Sequence, residues 1–355
     1  MHKVFLVIPS LKAGGAERVM SFLANNINSE KFQIHLVVIG FPENSVYNFE
    51  YSKTIFLNKH RVRQGIFPLI QLIIREKPVL VMSSLAHLNN IVSFLSFFLR
   101  KTSFIVREAN IDRIRSTFND VKSKKGLSIN FKKWFYPSLR YIICQSEDMY
   151  DAFVQEHPHL KEKVKIINNP VNDDFKLKQG SAKERNKRLI TVGALHKRKG
   201  HLRLLSSVSQ LTFPFEYVII GDGPEKQVLM DYAVELGILQ HIQFISFTKE
   251  VARYLSQSDF FLQGSFVEGF PNAVIESCAV GTPVIAFEAP GGLNEIILNG
   301  KNGHVFKTET EFINGLEHYA ETPTFIPSEV RDIVIKKFGK NKILQHYEQL
   351  FLESI

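Results

Sequence analysis

Short apolar runs alternate with stretches of helical length and periodicity along the whole chain, and this alternation most restricts the possible fold. Chains of this pattern build parallel sheets with helices packed on both faces. We therefore predict an α/β fold. The candidate strands lie at residues 3–8, 33–39, 53–57, 79–82, 103–107, 141–145, 188–192, 216–220, 242–245, 259–263, 283–287 and 303–306.

A polar stretch over residues 172–187 separates these strands into two sets of six. A length of 355 residues suits two domains of ordinary size. We predict two Rossmann-like, doubly wound domains at residues 1–170 and 171–330. The pattern that follows, over residues 331–355, predicts a helix.

Residues 259–277 are interpreted as a strand, a glycine-rich loop and the start of a helix. Pro271 suits the first helical position, where its missing N–H would be unpaired anyway. Free N–H groups at a helix start suit an anion such as a diphosphate. We predict that a sugar nucleotide binds here, with Glu268 bound to its sugar and Glu276 to its ribose. The alternative is that Glu268 caps the helix and Glu276 is a solvated helix residue.

The spacing from Glu268 to Glu276, the intervening GFPNAVI and the following AVGTPVI resemble the signature of retaining glycosyltransferases of family 4, which have the GT-B fold. The resemblance implies two Rossmann-like domains that face a cleft. The first (1–170) would bind the acceptor and the second (171–330) the nucleotide-sugar, while the tail helix (331–355) crosses back to pack on the first. It also implies catalytic roles for Glu268 and Lys199.

Further glycine-rich and basic loops resemble the donor site of this family. They are GGAERV from Gly14, GALHKRKG from Gly193 and GDGP from Gly221. Ala194 stands where the family usually has an arginine, so that phosphate contact is missing or supplied by Arg198. The alternatives are plain turns and a solvated basic loop. The predicted donor-binding residues are Gly14, Gly15, Gly193, Arg198, Lys199, Gly221, Phe247, Glu268, Gly269, Phe270, Pro271, Asn272, Ala273 and Glu276.

The first half lacks one feature of the family, a histidine after the strand at 103–107 that supports the transferred sugar. The candidates for the acceptor or sugar side are therefore His87, Glu108 and Asn110. A lone histidine near a strand end is more often structural. No clustered Cys or His pattern suggests a metal, so we expect no cofactor. The expected substrate is a UDP-sugar.

Several sequence features bear on location. Cys144 and Cys278 give no disulfide framework, which suits a reduced, cytosolic setting. The first nine residues are too short for a secretion signal, and no apolar run is long enough to span a membrane. The most apolar stretch, 91–99, is explained by a buried helix. We expect a cytoplasmic protein, peripheral at the inner face of the cell membrane.

Positive charge is concentrated in the first half of the chain. Residues 1–170 hold 24 Lys and Arg against 13 Asp and Glu. Within residues 113–140, basic residues are mixed with large aromatics, a composition that suits an anionic membrane surface. The alternative is a solvated loop and a helix whose aromatics face the core. Nucleic-acid binding is not expected, because the basic half has no known binding motif.

The predicted function is a retaining hexosyltransferase that moves a sugar from a nucleotide-sugar, with UDP favoured, to a glycan or lipid-linked acceptor. Its product would be cell-surface polysaccharide, such as lipopolysaccharide or capsule. One alternative is a GT-B epimerase of UDP-sugars. Another is a non-catalytic subunit that binds sugar nucleotides, which the presence of both Glu268 and Glu276 disfavours.

Overall fold

The computed structural model describes residues 1–12, 14–46, 53–109, 131–179, 186–322 and 324–355. Within these residues the chain forms two compact units. Unit 1 contains residues 1–109, 131–170 and 341–355, and unit 2 contains residues 171–340.

Unit 1 is built on a parallel sheet. Its described strands are β1 (His2–Ile8), β2 (Phe32–Val38), β3 (Lys53–Phe56), β4 (Leu80–Ser84), β5 (Ser103–Arg107), β6 (Tyr141–Cys144) and β7 (Val164–Ile166). They lie in the order β3-β2-β1-β4-β5-β6-β7. Val4 of β1 pairs with Ile34 on one side and with Leu80 on the other. Chain order therefore reverses between β1 and β4, where open α/β sheets bind ligands.

Helices surround this sheet. Those described are α1 (Gly15–Asn26), α2 (Ile66–Glu76), α3 (Ala86–Phe98), α4 (Phe131–Trp134) and α5 (Glu147–Glu156). Short 3-10 helices occupy Pro42–Asn44, Val62–Gly65, Tyr136–Ser138 and Pro158–Lys163. The strands are nearly continuous apolar runs because both faces of the sheet are covered.

Unit 2 repeats the same architecture. Its described strands are β8 (Lys187–Val192), β9 (Phe215–Ile220), β10 (Ile242–Ile245), β11 (Phe260–Gln263), β12 (Val284–Phe287) and β13 (Gly303–Phe306), in the order β10-β9-β8-β11-β12-β13. Its described helices are α6 (His201–Val208), α7 (Lys226–Glu235), α8 (Val251–Ser256), α9 (Asn272–Ala279), α10 (Leu293–Ile296), α11 (Glu309–Glu321) and α12 (Pro327–Phe338), with 3-10 helices at Lys197–Lys199 and Leu239–His241. One apolar cluster lies on each face of the sheet.

The end of the chain differs from the single tail helix predicted over 331–355. Helix α12 ends at Phe338, and α13 (Lys340–Leu352) begins after Gly339, whose extended ψ of 144° interrupts the helical path. The buried residues of α12 join the core of unit 2. Those of α13, including Tyr347 and Phe351, pack into the core of unit 1. Residues up to Lys340 thus belong to unit 2.

The buried helix expected over 91–99 is only half buried. Phe94, Phe97 and Phe98 of α3 are 38%, 45% and 61% exposed, whereas Val92 and Leu95 are in the core. The prediction was wrong because the stretch is apolar on both helix faces, and only one of them packs on the sheet. Within the described residues, no helix is long and apolar enough to cross a membrane.

Candidate donor-binding site

The loops after β8 and β11 meet at the point where the strand order of unit 2 reverses. These two strands are neighbours, with Phe261 paired to Ile190. Their carboxyl ends open into the crevice where α/β sheets bind nucleotides. The loop after β8 carries the predicted cations, and the loop after β11 carries the predicted carboxylate. Both motifs are therefore at the same edge of the sheet.

The two loops touch through their backbones. A Cβ added at Gly200 would lie 1.9 Å from the carbonyl oxygen of Gly264, and one added at Gly264 would lie 2.7 Å from the carbonyl oxygen of Gly200. Gly200 also has a φ of +62°, a conformation that side chains disfavour. The close approach places Lys199, just before Gly200, beside the loop that carries Glu268.

Glu268 is the centre of a buried polar network. Its Oε1 accepts hydrogen bonds from Lys199 Nζ at 2.6 Å, from Ser265 Oγ at 2.5 Å and from Gln263 Nε2 at 3.2 Å. Its Oε2 lies 3.4 Å from Nη1 of Arg198, which also donates to the carbonyl of Val267 at 2.7 Å. The structure therefore joins Glu268 to both cations predicted for the diphosphate.

The charge of this carboxylate is set by two opposing effects. Burial alone would raise the pKa of Glu268, but Lys199 and Arg198 together with the hydrogen bonds lower it below its usual value. Glu268 is thus ionised at neutral pH, with a side chain fixed in one orientation. A fixed carboxylate can accept hydrogen bonds from sugar hydroxyls. The neighbouring cations are only half buried, which leaves them accessible to an anion.

Arg203 supports the loop that carries Glu268. This residue was not predicted from the sequence. Its guanidinium donates to the carbonyl oxygens of Gly264 at 2.6 Å and Ser265 at 2.5 Å. It lies between two rings, 4.1 Å from the centroid of Phe266 and 4.3 Å from that of Phe287. In the sequence Arg203 is a single cation within a helix, which carries no signal of a contact sixty residues away.

A third loop, after β12, supports Glu268 through its backbone. The Glu268 N–H donates to the carbonyl oxygen of Pro290 at 2.9 Å. Gly291 has a φ of +113°, and a Cβ added there would lie 2.0 Å from the Glu268 carbonyl oxygen. The main chain of Glu268 is therefore fixed as firmly as its side chain.

Helix α9 begins directly after this loop. Pro271 is its N-cap residue rather than its first helical residue, and the helix starts at Asn272. The first N–H groups of a helix lack acceptors within the helix itself, so a helix start such as this one suits an anion. Glu276, on the second turn, is buried with 4% exposure. Phe270 turns into the core against Phe338, with 5.3 Å between ring centroids, so its side chain faces away from a donor.

The other donor residues predicted in unit 2 lie on nearby strand ends. A Cβ added at Gly221 would lie 1.9 Å from the carbonyl oxygen of Gly193, so the loops after β8 and β9 also touch. The Lys199 side chain passes over Gly193, with Cε at 3.8 Å from an added Cβ. Phe247, after β10, is 61% exposed. Gly269 is buried within the Glu268 loop.

In unit 1, the predicted glycines lie at the switch point between β1 and β4. Helix α1 begins at Gly15, and Gly14 is its N-cap. A Cβ added at Gly14 would lie 2.2 Å from Oε2 of Glu17, so this carboxylate covers the glycine turn. Burial raises the pKa of Glu17, while a backbone hydrogen bond and the charge of Arg107 oppose the rise. Glu17 belongs to the GGAERV motif, but the sequence predicted no role for this residue.

The predicted acceptor-side residues differ in their surroundings. Glu108 is buried and accepts a hydrogen bond from the Tyr136 hydroxyl at 2.9 Å, with Lys132 Nζ at 4.0 Å. His87 is exposed on the first turn of α3. Asn110 lies outside the described residues.

Beside Glu108, the Arg107 side chain is almost fully buried at the carboxyl end of β5. It contacts Ser84 and Asn169, and this polar cluster was not predicted. Among the described residues, no group of three or more His, Cys, Asp or Glu could hold a metal ion.

Two family models match this chain. The family model for Glycosyltransferase Family 4 matches residues 13–175, and the model for Glycosyl transferases group 1 matches residues 172–335. The chain belongs to the GT-B glycosyltransferases of family 4, and it is a glycosyltransferase enzyme.

Two similar proteins come from Campylobacter jejuni. One is N-acetylgalactosamine-N,N'-diacetylbacillosaminyl-diphospho-undecaprenol 4-alpha-N-acetylgalactosaminyltransferase, 25% identical over 335 residues that cover 88% of this chain and 87% of the relative. The other is GalNAc-alpha-(1->4)-GalNAc-alpha-(1->3)-diNAcBac-PP-undecaprenol alpha-1,4-N-acetyl-D-galactosaminyltransferase, 23% identical over 320 residues that cover 85% of this chain and 84% of the relative.

Solved structures share the fold. HepE of Anabaena in complex with UDP and glucose aligns with a TM-score of 0.79 at 17% identity, over 100% of both chains. Sucrose-phosphate synthase of Thermosynechococcus elongatus aligns with a TM-score of 0.82 at 15% identity, over 99% of both chains. The prediction of a GT-B fold is thereby confirmed.

Proposed function

We propose that this enzyme transfers a hexose from a UDP-sugar to a lipid-linked glycan, with retention of anomeric configuration, during synthesis of a cell-surface polysaccharide. The observation that carries the proposal is the network of Glu268, Lys199 and Arg198 at the switch point of unit 2. It combines a fixed carboxylate for sugar hydroxyls with two accessible cations for a diphosphate. The relatives support the acceptor class, because their names give undecaprenol diphosphate-linked glycans.

In the proposed reaction the donor diphosphate takes over part of the contacts that Lys199 and Arg198 make with Glu268. The cations and the first N–H groups of α9 then stabilise the negative charge that develops on the leaving diphosphate. Glu268 orients the hydroxyls of the sugar. The departing phosphate oxygen takes the proton of the acceptor hydroxyl as that hydroxyl attacks from the same face. Glu276 holds the ribose.

The choice of UDP is supported by a structural neighbour, HepE of Anabaena, which was solved with UDP and with UDP-glucose. We further propose that residues 1–170 bind the acceptor, residues 171–330 bind the donor, and Glu108 and His87 lie on the acceptor side. The reaction takes place at the inner face of the cell membrane, with residues 113–140 on the anionic surface. Of this segment, residues 113–130 lie outside the described residues.

The test is a panel of sugar nucleotides incubated with lipid-linked acceptors, followed by mass spectrometry of the products. The expected result is one sugar added to the acceptor with release of UDP, and the same anomeric configuration in donor and product by NMR. An altered free sugar without need of an acceptor would instead establish the epimerase alternative. Binding without turnover of any donor would establish the non-catalytic one.

The donor assignment is tested separately with Glu276→Ala. Loss of a hydrogen bond to a charged group costs about 1.5–3 kcal/mol, so UDP should bind roughly ten- to a hundredfold more weakly. The matched control is Glu235→Ala, an exposed carboxylate on α7 of the same unit. Calorimetry that gives equal UDP affinity for both folded variants would remove Glu276 from the site.

A further inference from the structure

A cluster of aromatic side chains, most of them exposed, lies where the end of α3 meets α4. We call this surface the α3 aromatic face; it consists of the exposed Phe94, Phe97, Phe98 and Trp134 and the half-buried Phe135. Trp134 is 65% exposed and Phe98 is 61% exposed. A contiguous group of exposed aromatic rings on a globular unit marks an interaction surface.

The four phenylalanine rings are in mutual contact, and Trp134 directly precedes one of them, Phe135, in the chain. Phe94 lies 5.0 Å from Phe98 and 5.2 Å from Phe135 between ring centroids, and Phe97 lies 5.3 Å from Phe98. Two serine hydroxyls connect α3 to the turn after α4. Ser96 of α3 and Ser138 share a hydrogen bond, and the Ser138 hydroxyl also donates to the Phe135 carbonyl oxygen. The exposure of these rings is therefore built into the packing of α3 against the turn that follows α4.

The surroundings of the face are positively charged. The Arg100 guanidinium lies 5.8 Å from the centroid of the Phe97 ring, and Lys133 Nζ lies 5.6 Å from that of Trp134. Lys101 follows Arg100 and is also exposed. Asp and Glu are absent from residues 86–107 and 131–146. The face thus combines apolar rings with cations and has no acidic residue on either segment that forms it.

We propose that the α3 aromatic face inserts its rings into the headgroup region of an anionic lipid bilayer. Aromatic rings are favoured at headgroup depth, and each cation near an anionic surface adds about 1 kcal/mol of attraction. A second copy of this chain fits less well, since a symmetric contact would bring the same cations together. The inference rests on the membrane location proposed above: the face shares Trp134 and Phe135 with the segment 113–140, adds the rings of α3, and uses apolar burial as well as charge.

The experiment uses Trp134 as an internal probe, because it is the only tryptophan of the chain. The full chain is mixed with vesicles of phosphatidylcholine alone, or with phosphatidylglycerol added. The anionic vesicles should shift the Trp134 emission to shorter wavelength, and brominated acyl chains should quench it. The neutral vesicles should bind at least tenfold more weakly.

Two variants separate the apolar and charged contributions. Phe97→Ser/Phe98→Ser and Arg100→Ser/Lys101→Ser should each weaken partition to anionic vesicles at least tenfold, in a co-sedimentation assay. The matched controls are Val234→Ser and Lys301→Ser, which alter an exposed apolar side chain and an exposed cation of unit 2. They should bind like the unaltered protein. UDP affinity should stay constant in all four, so failure of this proposal is distinguishable from failure of the donor site.

Three results would overturn the proposal. The protein could co-sediment while brominated lipid leaves Trp134 unquenched, which would place another surface on the bilayer. The double serine variants could bind vesicles as the unaltered protein does. Sedimentation could show a dimer that Phe97→Ser/Phe98→Ser dissociates, which would assign the face to a second copy.

Discussion

Lys199 Nζ lies 2.6 Å from Oε1 of Glu268, although the two residues are 69 positions apart in the chain. The pair joins the loop after β8 to the loop after β11. It also means that Lys199 neutralises the buried carboxylate of Glu268, although we propose the same cation for the diphosphate. On the proposed function, binding of the donor should rearrange this ion pair, and substitution of either residue should change the environment of the other.

Lys199→Ala should destabilise unit 2 as well as weaken donor binding, because among the described residues it leaves the buried Glu268 with Arg198 alone as an ion-pair partner. Breaking a buried pair by removing one partner costs about 3–5 kcal/mol. Glu268→Gln removes the charge and should lower turnover more than UDP affinity. A double-mutant cycle in chemical denaturation, with steady-state kinetics and calorimetry, measures both effects.

The matched control for that cycle is Lys197→Ala, since Lys197 is an exposed cation in the same 3-10 helix. It should leave stability and UDP affinity within about 0.5 kcal/mol of the unaltered protein. Additive effects of Lys199→Ala and Glu268→Gln would show that the pair is not coupled, and would contradict the role proposed for it.

Arg203→Lys should loosen the loop that carries Glu268. A lysine cannot donate to the Gly264 and Ser265 carbonyls together in the planar geometry of arginine, nor stack between two rings as well. Burial lowers the pKa of Arg203 to about 10, which still leaves it charged at neutral pH. We expect about a tenfold loss of kcat/KM for the donor with the fold kept. Phe266→Leu removes the ring that stacks on Arg203 but keeps the hydrogen bonds of Arg203. It should lower kcat/KM by less than Arg203→Lys does, and the rate of hydrogen exchange at the Glu268 amide should stay unchanged.

The positions of the strands could be predicted from the sequence, whereas the contacts between loops could not. All twelve predicted strands are present, and the central ones are apolar runs that are buried on both faces of the sheet. The missed strand, β7, has three residues, of which Lys165 and Ile166 are exposed, so no apolar run marks it. The tail was predicted as one helix because Ile343, Tyr347 and Phe351 recur every four residues and Phe338 was placed on the same face, although it lies five positions before Ile343 and on the other side of Gly339.

The site was predicted as residue types at strand ends, but not as contacts. Glycines and charges after parallel strands are visible in the sequence, and the order of the strands brings them to one edge. The pairing of Glu268 with Lys199, and the support from Arg203, depend on how loops far apart in the chain pack. The exposure of Phe97 and Phe98 was missed for a related reason: the stretch is apolar on both faces, and periodicity alone does not mark the exposed one.

Gly291→Ala should reduce activity by displacing the backbone of Glu268. The new Cβ would lie 2.0 Å from the Glu268 carbonyl oxygen, so the loop must move. Gly300→Ala is a matched control, since Gly300 also has a positive φ, +75°, but no atom within 4 Å of an added Cβ. Both variants bear the strain of an alanine at positive φ, about 1 kcal/mol. Only Gly291→Ala should lower kcat/KM, by at least tenfold; equal losses would mean that backbone strain alone matters.

His201, the first residue of α6, should make the free energy of unfolding depend on pH in the acid range. This residue is 4% exposed, with Nε2 at 3.3 Å from the Ala194 carbonyl oxygen and Nδ1 without a hydrogen-bond partner among the described residues. Burial lowers the pKa of His201 to about 4, against a partial rise from the bond to Ala194. The folded protein therefore holds this ring neutral, while the unfolded chain protonates it near pH 6.5.

Below pH 6.5 the unfolded state binds a proton that the folded state does not, so the free energy of unfolding falls as the pH falls towards 4. The slope is about 1.4 kcal/mol per pH unit, and the total loss from this one residue is about 3 kcal/mol. His201→Gln removes the proton and should flatten the curve over this range by the same amount. His241→Gln, at an exposed histidine of unit 2, should leave the curve unchanged. Chemical denaturation followed by circular dichroism between pH 4 and 7.5 provides the measurement, and parallel curves for His201→Gln and the unaltered protein would show that the ring titrates alike in both states.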